Sequence, residues 1–234
     1  SLLEDIGADC SDLVTVRDTD AWQTLVYCKP HIGEDEQPRF DMGNFNVLPD
    51  SAAQQLIERL AQALPELDAV VVNEQVASGI HTPFLQAGLQ RLMREHPERT
   101  FLFDGRHLSG TYPHAWLKLN AAEAARLAGM TGTTDRPAEA ATGAAAAAIH
   151  ARTGRPVVVT RGEGGCLCCC AQGMQSIPGL AVVGPVDPVG AGDSFLAGLA
   201  AAVAAGGSHG EAMMLGNLAA RVTEIGRASC RERV

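Results

Sequence analysis

A carboxylate stands inside a glycine-rich segment, where residues 187–195 read Asp-Pro-Val-Gly-Ala-Gly-Asp-Ser-Phe. Small and apolar residues follow, so the segment is predicted to open directly into a helix. Glycines let a backbone approach an anion closely, and free amides at a helix N-terminus favour phosphate. The pattern is not a dinucleotide fingerprint, because Phe195 replaces its third glycine, and it lacks the lysine of a P-loop.

Asp193 is predicted to lie at the rim of this anion hole. It could take a proton from a substrate hydroxyl that attacks a γ-phosphate, while the amides of residues 190–193 stabilise the charge on the phosphoryl group. The alternative is that Asp193 only caps the helix. The full nine-residue pattern favours the catalytic role over the cap.

The segment resembles the C-terminal signature of the ribokinase-like (PfkB) carbohydrate kinases, Asp-Thr/Pro-x-Gly-Ala-Gly-Asp-x-Phe followed by a helix of small residues. The resemblance implies that Asp193 is the catalytic base and that Gly190, Ala191 and Gly192 form the anion hole. It also implies that Asp187 helps to organise the phosphate and Mg²⁺ region. ATP and Mg²⁺ are the implied cofactors.

A second segment, residues 118–123, resembles the Lys-x-Asn-x-x-Glu pattern near Mg²⁺ and phosphate in these kinases. The resemblance implies that Asn120 and Glu123 serve the metal, and their hard oxygen atoms suit Mg²⁺. The alternative is a helix start at which the two residues form a capping box. Both roles can hold together.

The nucleotide side is predicted from two further segments. Residues 160–165, Thr-Arg-Gly-Glu-Gly-Gly, resemble the Thr-x-Gly-x-x-Gly turn that borders the nucleotide, which implies roles for Thr160, Gly162 and Gly165. Asn217 opens a stretch that resembles the late helix beside adenine. The alternatives are an ordinary glycine turn and an ordinary Ala-rich helix.

The substrate side is predicted from residues at a strand end and in the N-terminal region. Asp104 and Arg106 follow an apolar run, at the edge where α/β sheets bind ligands, and resemble the Asp-x-Arg segment of the sugar-kinase branch. Glu74 also ends a predicted strand. Lys29 and Arg39 lie in segments similar to the lid of the heptose-kinase-like branch, where they either meet a phosphorylated sugar or are solvated strand charges.

The elements that position these residues are strands that alternate with helices along the chain. This alternation predicts a three-layer α/β/α sandwich with a mostly parallel sheet. A small β meander precedes it, with strands at 13–16, 24–28 and 39–42. The predicted core strands are 69–72, 100–103, 156–160, 166–170 and 174–177. The predicted helices are one from Asp50 or Ser51, then 83–95, 121–127, 138–153, 194–205 and 210–222.

Three regions follow from this pattern. Residues 1–48 are expected to form an incomplete β lid, and residues 49–224 the nucleotide-binding core. Residues 225–234 resemble a translated sequencing adapter and are expected to be a non-native tail. The family's glycine-rich first strand and its last nucleotide-side segment have no match, so the gene is expected to extend beyond both ends.

Composition limits the function classes. With 18 basic and 27 acidic residues the net charge is −9, which argues against a nucleic-acid backbone binder. The apolar runs are too short for a membrane span, and the N-terminus lacks the features of a signal peptide. Four of the seven cysteines cluster at 166–170, which indicates small buried hydrophobes in a reduced, cytoplasmic protein rather than zinc ligands.

The resemblance therefore implies an ATP-dependent kinase that acts on a hydroxyl of a sugar or sugar phosphate, with a heptose-phosphate-like acceptor preferred. Ribose, fructose phosphate or a nucleoside are the alternative acceptors. A non-catalytic nucleotide- or sugar-binding module of the same fold is the alternative from another class. Lids of this family often mediate dimers, which leaves a homodimer through residues 1–48 open.

Overall fold

The computed structural model describes residues 22–23, 25–33, 35–43, 46–76, 79–130, 138–181 and 186–231. The chain divides into two compact units. The first comprises Ser1–Glu66 and Val76–Leu92, and the second comprises Leu67–Gln75 and Met93–Val234. The strand predicted at 13–16 lies outside the described residues.

The first unit contains two short antiparallel strand pairs and a helix, followed by most of a second helix. Strand β1 (Val26–Cys28) pairs with β4 (Phe40–Met42), and β2 (His31–Ile32) pairs with β3 (Asp35–Glu36). The helices are α1 (Asp50–Ala63) and α2 (Pro83–Glu95). The β1–β4 pair falls on the strands predicted at 24–28 and 39–42, whereas the β2–β3 pair was not predicted.

The start of α1 differs from the prediction. Its N-cap residue is Pro49, which makes no side-chain cap bond, so neither Asp50 nor Ser51 caps the helix. The two helices approach closely at Gly88, where an added Cβ would lie 2.1 Å from Cδ1 of Ile57.

The second unit is built on a six-stranded sheet in the order β10-β9-β8-β7-β6-β5. Its strands are β5 (Ala69–Glu74), β6 (Thr100–Gly105), β7 (Trp116–Asn120), β8 (Val157–Thr160), β9 (Cys166–Cys170) and β10 (Gly173–Ile177). From β5 to β8 the pairing is parallel, and β9 and β10 add an antiparallel hairpin. The largely parallel sheet is confirmed. Strand β7 was missed because Lys118 interrupts the apolar run that a buried parallel strand normally shows.

Four helices cover the two faces of this sheet: α3 (Ala121–Leu127), α4 (Glu139–Thr153), α5 (Ala191–Ala204) and α6 (His209–Arg231). Val158 and Cys168 pack with residues of α5 and α6 on one face. Because side chains alternate along a strand, Val157 and Val159 face the other way, and α4 packs on β8 and β9. The three-layer α/β/α arrangement is thus confirmed. Helix α6 continues to Arg231, past the predicted end at Val222.

Small residues bring α5 and α6 together. A Cβ on Gly198 would lie 2.8 Å from the carbonyl oxygen of Leu215, and one on Gly216 would lie 2.9 Å from that of Phe195. The glycines thus permit the backbones to pack closely where few aromatic residues are available to fill a core.

The cysteine cluster belongs to the core. Cys166 and Cys168 are fully buried, and burial raises the pKa of the Cys166 thiol to about 11. Among the described residues no group of three His, Cys, Asp or Glu side chains could hold a metal ion. The interpretation as small buried hydrophobes is confirmed. Nor does any helix within the described ranges combine the length and apolar character needed to cross a bilayer.

Candidate active site

The glycine-rich segment ends in the N-terminus of α5, as the sequence predicts. Gly190 is the N-cap residue, with φ of 81°, a conformation that glycine adopts without strain. The amide of Ala191 donates to the carbonyl of Pro188 at 3.1 Å, and that of Ser194 donates to Gly190 at 3.0 Å. Within the described part of the chain, the amides of Gly192 and Asp193 have no acceptor, as expected in a first helical turn. These two amides are the ones that a phosphate could use.

Asp187 holds the turn that leads into this helix. Its side chain is buried, and Oδ1 accepts a hydrogen bond from the amide of Val189 at 3.1 Å. Its own amide donates to the carbonyl of Glu224 at 3.1 Å. Asp187 therefore fixes the turn to the C-terminal helix, consistent with an organising role.

Asp193 is the third residue of α5 and does not cap it, so the capping alternative is wrong. Its Oδ1 accepts a hydrogen bond from Nε2 of Gln75 at 3.2 Å, and the same nitrogen donates to Oδ1 of Asn73 at 2.8 Å. Gln75 directly follows β5. The contact between Gln75 and Asp193 was not predicted, because 118 positions separate the two residues.

A buried ion pair lies next to the anion hole. Nζ of Lys118 contacts Oδ2 of Asp104 at 2.7 Å, and both side chains are largely buried. A Cβ on Gly192 would lie 3.2 Å from that Nζ, so the glycine lets the helix start approach the lysine. Burial raises the pKa of Asp104, which Lys118 lowers in part and nearby Asp193 raises further. Asp104 is therefore a buried partner of Lys118, and its role toward a substrate stays a prediction.

The predicted nucleotide-side residues gather around one cavity of about 170 Å³. Its lining includes Thr160, Gly162, Gly165, Gly192 and Asn217. They come from β8, α5 and α6 and from the turn between β8 and β9. The cavity is therefore a product of the fold of the second unit.

Long-range hydrogen bonds hold the far wall of this cavity. Asn217 Nδ2 donates to the carbonyl of Pro178 at 2.9 Å, and Arg221 Nε donates to that of Leu180 at 2.7 Å. Arg221 also forms an ion pair with Glu224. Sequence analysis missed Arg221 and Glu224, although their spacing of three on a helix was an available signal.

The turn after β8 depends on its glycines. Gly162 and Gly165 have φ of 58° and 80°. A Cβ on Gly165 would lie 2.2 Å from the carbonyl oxygen of Ile177, whereas one on Gly162 would meet nothing within 4 Å. Gly165 is thus needed for a close backbone approach, and Gly162 only for its backbone angle.

Asn120 and Glu123 form the capping box that was weighed against a metal role. Oδ1 of Asn120 accepts from the amide of Glu123 at 2.8 Å, and Oε2 of Glu123 accepts from the amide of Asn120 at 2.8 Å. One oxygen of each side chain is therefore engaged in starting α3.

Glu74 and His107 form a pair that sequence analysis did not predict. The Glu74 side chain is fully buried, and Oε1 lies 3.0 Å from Nδ1 of His107. Oε2 accepts from the amides of His107 at 2.8 Å and Leu108 at 3.3 Å. Burial raises the pKa of Glu74, but these hydrogen bonds outweigh it and the net shift is downward. Arg106 lies beside this pair, exposed, at the end of β6.

The predicted lid cations lie in the first unit. Arg39 contacts Asp41 through Nε at 2.6 Å, and its guanidinium lies 4.8 Å from the centre of the Tyr27 ring. The hydrogen bond with Asp41 raises the pKa of Arg39. Lys29 is exposed just after β1. Arg39 therefore already has an anionic partner, which favours the solvated strand charge for this residue.

Comparison with known proteins identifies the family. The model of the pfkB family carbohydrate kinases matches residues 10–231. An inositol 3-kinase from Zea mays is 44% identical over 72 residues, which are 30% of this chain and 19% of the maize protein. The chain belongs to the pfkB family of carbohydrate kinases, phosphotransferases with an alcohol group as acceptor.

Solved structures share the fold at low sequence identity. A PfkB protein from Polaromonas sp. JS666 has a TM-score of 0.67 and 18% identity, over 95% of this chain and 73% of that chain. A phosphofructokinase-2 mutant from Escherichia coli has a TM-score of 0.63 and 20% identity, over 83% of this chain and 62% of that chain. The chain thus spans under two thirds of the E. coli enzyme and about a fifth of the maize one.

Proposed function

We propose that this protein transfers the γ-phosphoryl group of ATP to a hydroxyl of a sugar or sugar phosphate, with Asp193 as the general base. One observation carries the proposal. The residues predicted to border the nucleotide line a single cavity that reaches the N-terminus of α5, and Asp193 stands in the first turn of that helix.

Each nearby residue has a role in this proposal. The amides of Gly192 and Asp193 hold the transferring phosphoryl group, since first-turn amides and the helix dipole favour negative charge. Lys118 adds a positive charge close to Gly192. Asp193 accepts the proton of the attacking hydroxyl, and Gln75 holds its carboxylate in place. Glycine at position 192 fits the binding of an ATP phosphate there, because a side chain at this position would crowd Lys118 and fill the space beside the free amides.

Mg²⁺ stays part of the proposal through Asn120 and Glu123. An amide oxygen and a carboxylate match the metal, which takes few protein ligands and keeps water and phosphate oxygens. Because the capping box engages one oxygen of each residue, the remaining lone pairs and the second carboxylate oxygen are the ones left to offer. When bound, Mg²⁺ would neutralise phosphate charge.

The acceptor is proposed at the level of its class. A heptose phosphate was the expected acceptor, but the relatives are named for inositol and phosphofructokinase activities. A panel of heptose phosphate, ribose, fructose 6-phosphate, a nucleoside and inositol, scored by sugar-dependent ATP consumption, is the direct test. A non-catalytic module of this fold would consume no ATP with any of them.

Two further expectations belong to this proposal. The five free cysteines within the described residues support a reducing, cytoplasmic location. A homodimer through the lid remains a proposal that light scattering tests. A phosphofructokinase-2 structure among the relatives is tetrameric, which is a property of that enzyme.

The deciding experiment is Asp193→Asn. We expect turnover to fall by about 10²–10⁴-fold while ATP binding is retained, because the base is lost and the amides remain. Glu66→Gln, which makes the same change at an exposed carboxylate in the first unit, is the control and should leave turnover unaltered. Unchanged turnover in Asp193→Asn would remove the base assignment.

A further inference from the structure

A second cavity opens where β6 ends, and of its lining residues the mechanism above uses only Glu123. It has a volume of about 270 Å³ and its lining includes Arg106, His107, Ser109, Glu123 and Arg126. A single water occupies about 30 Å³, so this space suits a ligand of several atoms.

The charges in this cavity favour an anion. Arg106 and Arg126 bring two permanent positive charges. In the described residues no carboxylate lies within ion-pair distance of either guanidinium, and the more distant Asp104, which interacts with Arg106, is already paired with Lys118. Glu123 is the one acidic residue of the lining, and its Oε2 already accepts a hydrogen bond from the amide of Asn120. Guanidinium groups bind phosphate through paired, planar hydrogen bonds.

Glu74 orients the histidine of this cavity. Its buried carboxylate can only accept, so Nδ1 of His107 carries the proton in the contact at 3.0 Å. The other ring nitrogen, Nε2, is therefore directed away from Glu74. The ring is half exposed, at 54% of its side-chain surface, and lines the cavity. Glu74 is thus a positioning residue for His107.

The second cavity lies near the site proposed for phosphoryl transfer. Ser109 is buried, and its hydroxyl donates to the carbonyl of Gly105 at 2.7 Å. Arg106 follows Asp104 by two residues, and Asp104 binds the lysine that lies beside Gly192. Both cavities therefore lie within the second unit.

We propose that this second cavity is a phosphate-binding site, in which Arg106, Arg126 and His107 bind the oxygens of a phosphate group. The group is either the phosphate of a phosphorylated acceptor or inorganic phosphate. The first source rests on the proposed kinase function, and binding of phosphate itself does not.

Binding of inorganic phosphate to the purified protein tests the site directly by calorimetry. Saturable binding is expected, and Arg106→Gln and Arg126→Gln should each weaken it about tenfold or more, because a hydrogen bond to a charged group is lost. Arg152→Gln is the matched control, because this exposed arginine lies in the last turn of α4, before β8 begins at the opposite end of the sheet. Absent binding, or equal binding in all variants, would overturn the proposal.

Asp193→Asn separates this site from the kinase proposal. The variant is expected to lose turnover and to bind phosphate as the unaltered protein does, since Asp193 does not line the second cavity. If the unaltered protein binds phosphate but shows no turnover with any acceptor, only the kinase function is contradicted. Turnover without phosphate binding would contradict only this site.

Two further arms define the ligand and the role of Glu74. If the phosphate belongs to the acceptor, inorganic phosphate competes with a sugar phosphate, and Arg126→Gln raises KM for it but not for an unphosphorylated sugar. If free phosphate is the ligand, it changes the rate with an unphosphorylated sugar.

Phosphate should also shift the ring-nitrogen NMR signals of His107, and the shift should be smaller in Glu74→Gln. An equal shift in the two proteins would remove the positioning role of Glu74.

Discussion

The glycine-rich side of the cavity beside α5 offers backbone without side chains, whereas the ends of β5 and β6 carry paired charges. In the first region, glycines at 162, 165 and 192 line the cavity and add no side chains to it. In the second, Glu74 and Asp104 are buried carboxylates that each need a specific cationic or hydrogen-bonding partner. The difference fits the proposed function, in which a nucleotide phosphate needs close approach and an acceptor needs directional groups.

The two carboxylates also differ from one another. Both lie at the carboxyl ends of neighbouring parallel strands and both are buried. The pKa of Asp104 is raised because burial outweighs the charge and hydrogen bond of Lys118, which lower it. The pKa of Glu74 is lowered although burial opposes it, because His107 and Leu108 donate to both of its oxygens. Burial alone therefore does not decide the direction of the pKa shift, because the hydrogen-bond donors around each carboxylate also contribute.

The largest expected effect comes from breaking the buried ion pair. Lys118→Met leaves Asp104 buried without its ammonium partner, and the free energy of unfolding is expected to fall by about 3–5 kcal/mol. Urea denaturation measures the change. The double variant Lys118→Met/Asp104→Leu is the control and should recover much of the loss, because no charge stays unpaired. Equal losses in the single and double variants would show that the pair itself is not the source.

Substitutions at two glycines test the turn that borders the cavity beside α5, and the expected loss in the free energy of unfolding is smaller. Gly165→Ala forces a Cβ to within 2.2 Å of a carbonyl oxygen at a φ of 80°, and we expect a loss of about 3 kcal/mol together with weaker binding of an ATP analogue. Gly162→Ala has the same kind of backbone angle but open space, and about 1–2 kcal/mol is expected. Thermal unfolding compares them. Equal losses would show that the backbone angle, and not the close approach, requires glycine at 165.

The smallest effect is a difference in pH dependence between the two carboxylates. Because the folded-state pKa of Glu74 lies below its usual 4.5, its stabilisation is complete above that value and is lost as the pH falls through the folded-state pKa. Because that of Asp104 lies above its usual 3.8, its contribution is complete below that value and is lost as the pH rises through the folded-state pKa.

Urea unfolding between about pH 3 and pH 6 checks these opposite signs. The destabilisation caused by Glu74→Gln is expected to grow as the pH rises, and that caused by Asp104→Asn is expected to shrink. Parallel curves for the two variants would contradict the difference in their environments.

The sequence by itself determined the features that depend on neighbouring residues. Asp193 and its glycines, the turn at 160–165, the capping box at Asn120 and the hairpin of β9 and β10 each arise from residues a few positions apart. The parallel sheet followed from apolar runs that alternate with helical segments. Local spacing fixes such elements because their hydrogen bonds close within a turn or a hairpin.

Only the tertiary structure decided which distant side chains meet. Lys118 interrupts an apolar run and so concealed β7, yet in the fold it neutralises Asp104 beside the helix of Asp193. The residues next to His107 in the sequence give no indication of a role for it. Its partner, Glu74, becomes evident only in the fold, where the end of β5 lies beside His107. Such pairs depend on strand order and register, which place the carboxyl ends of parallel strands side by side regardless of their separation in the chain.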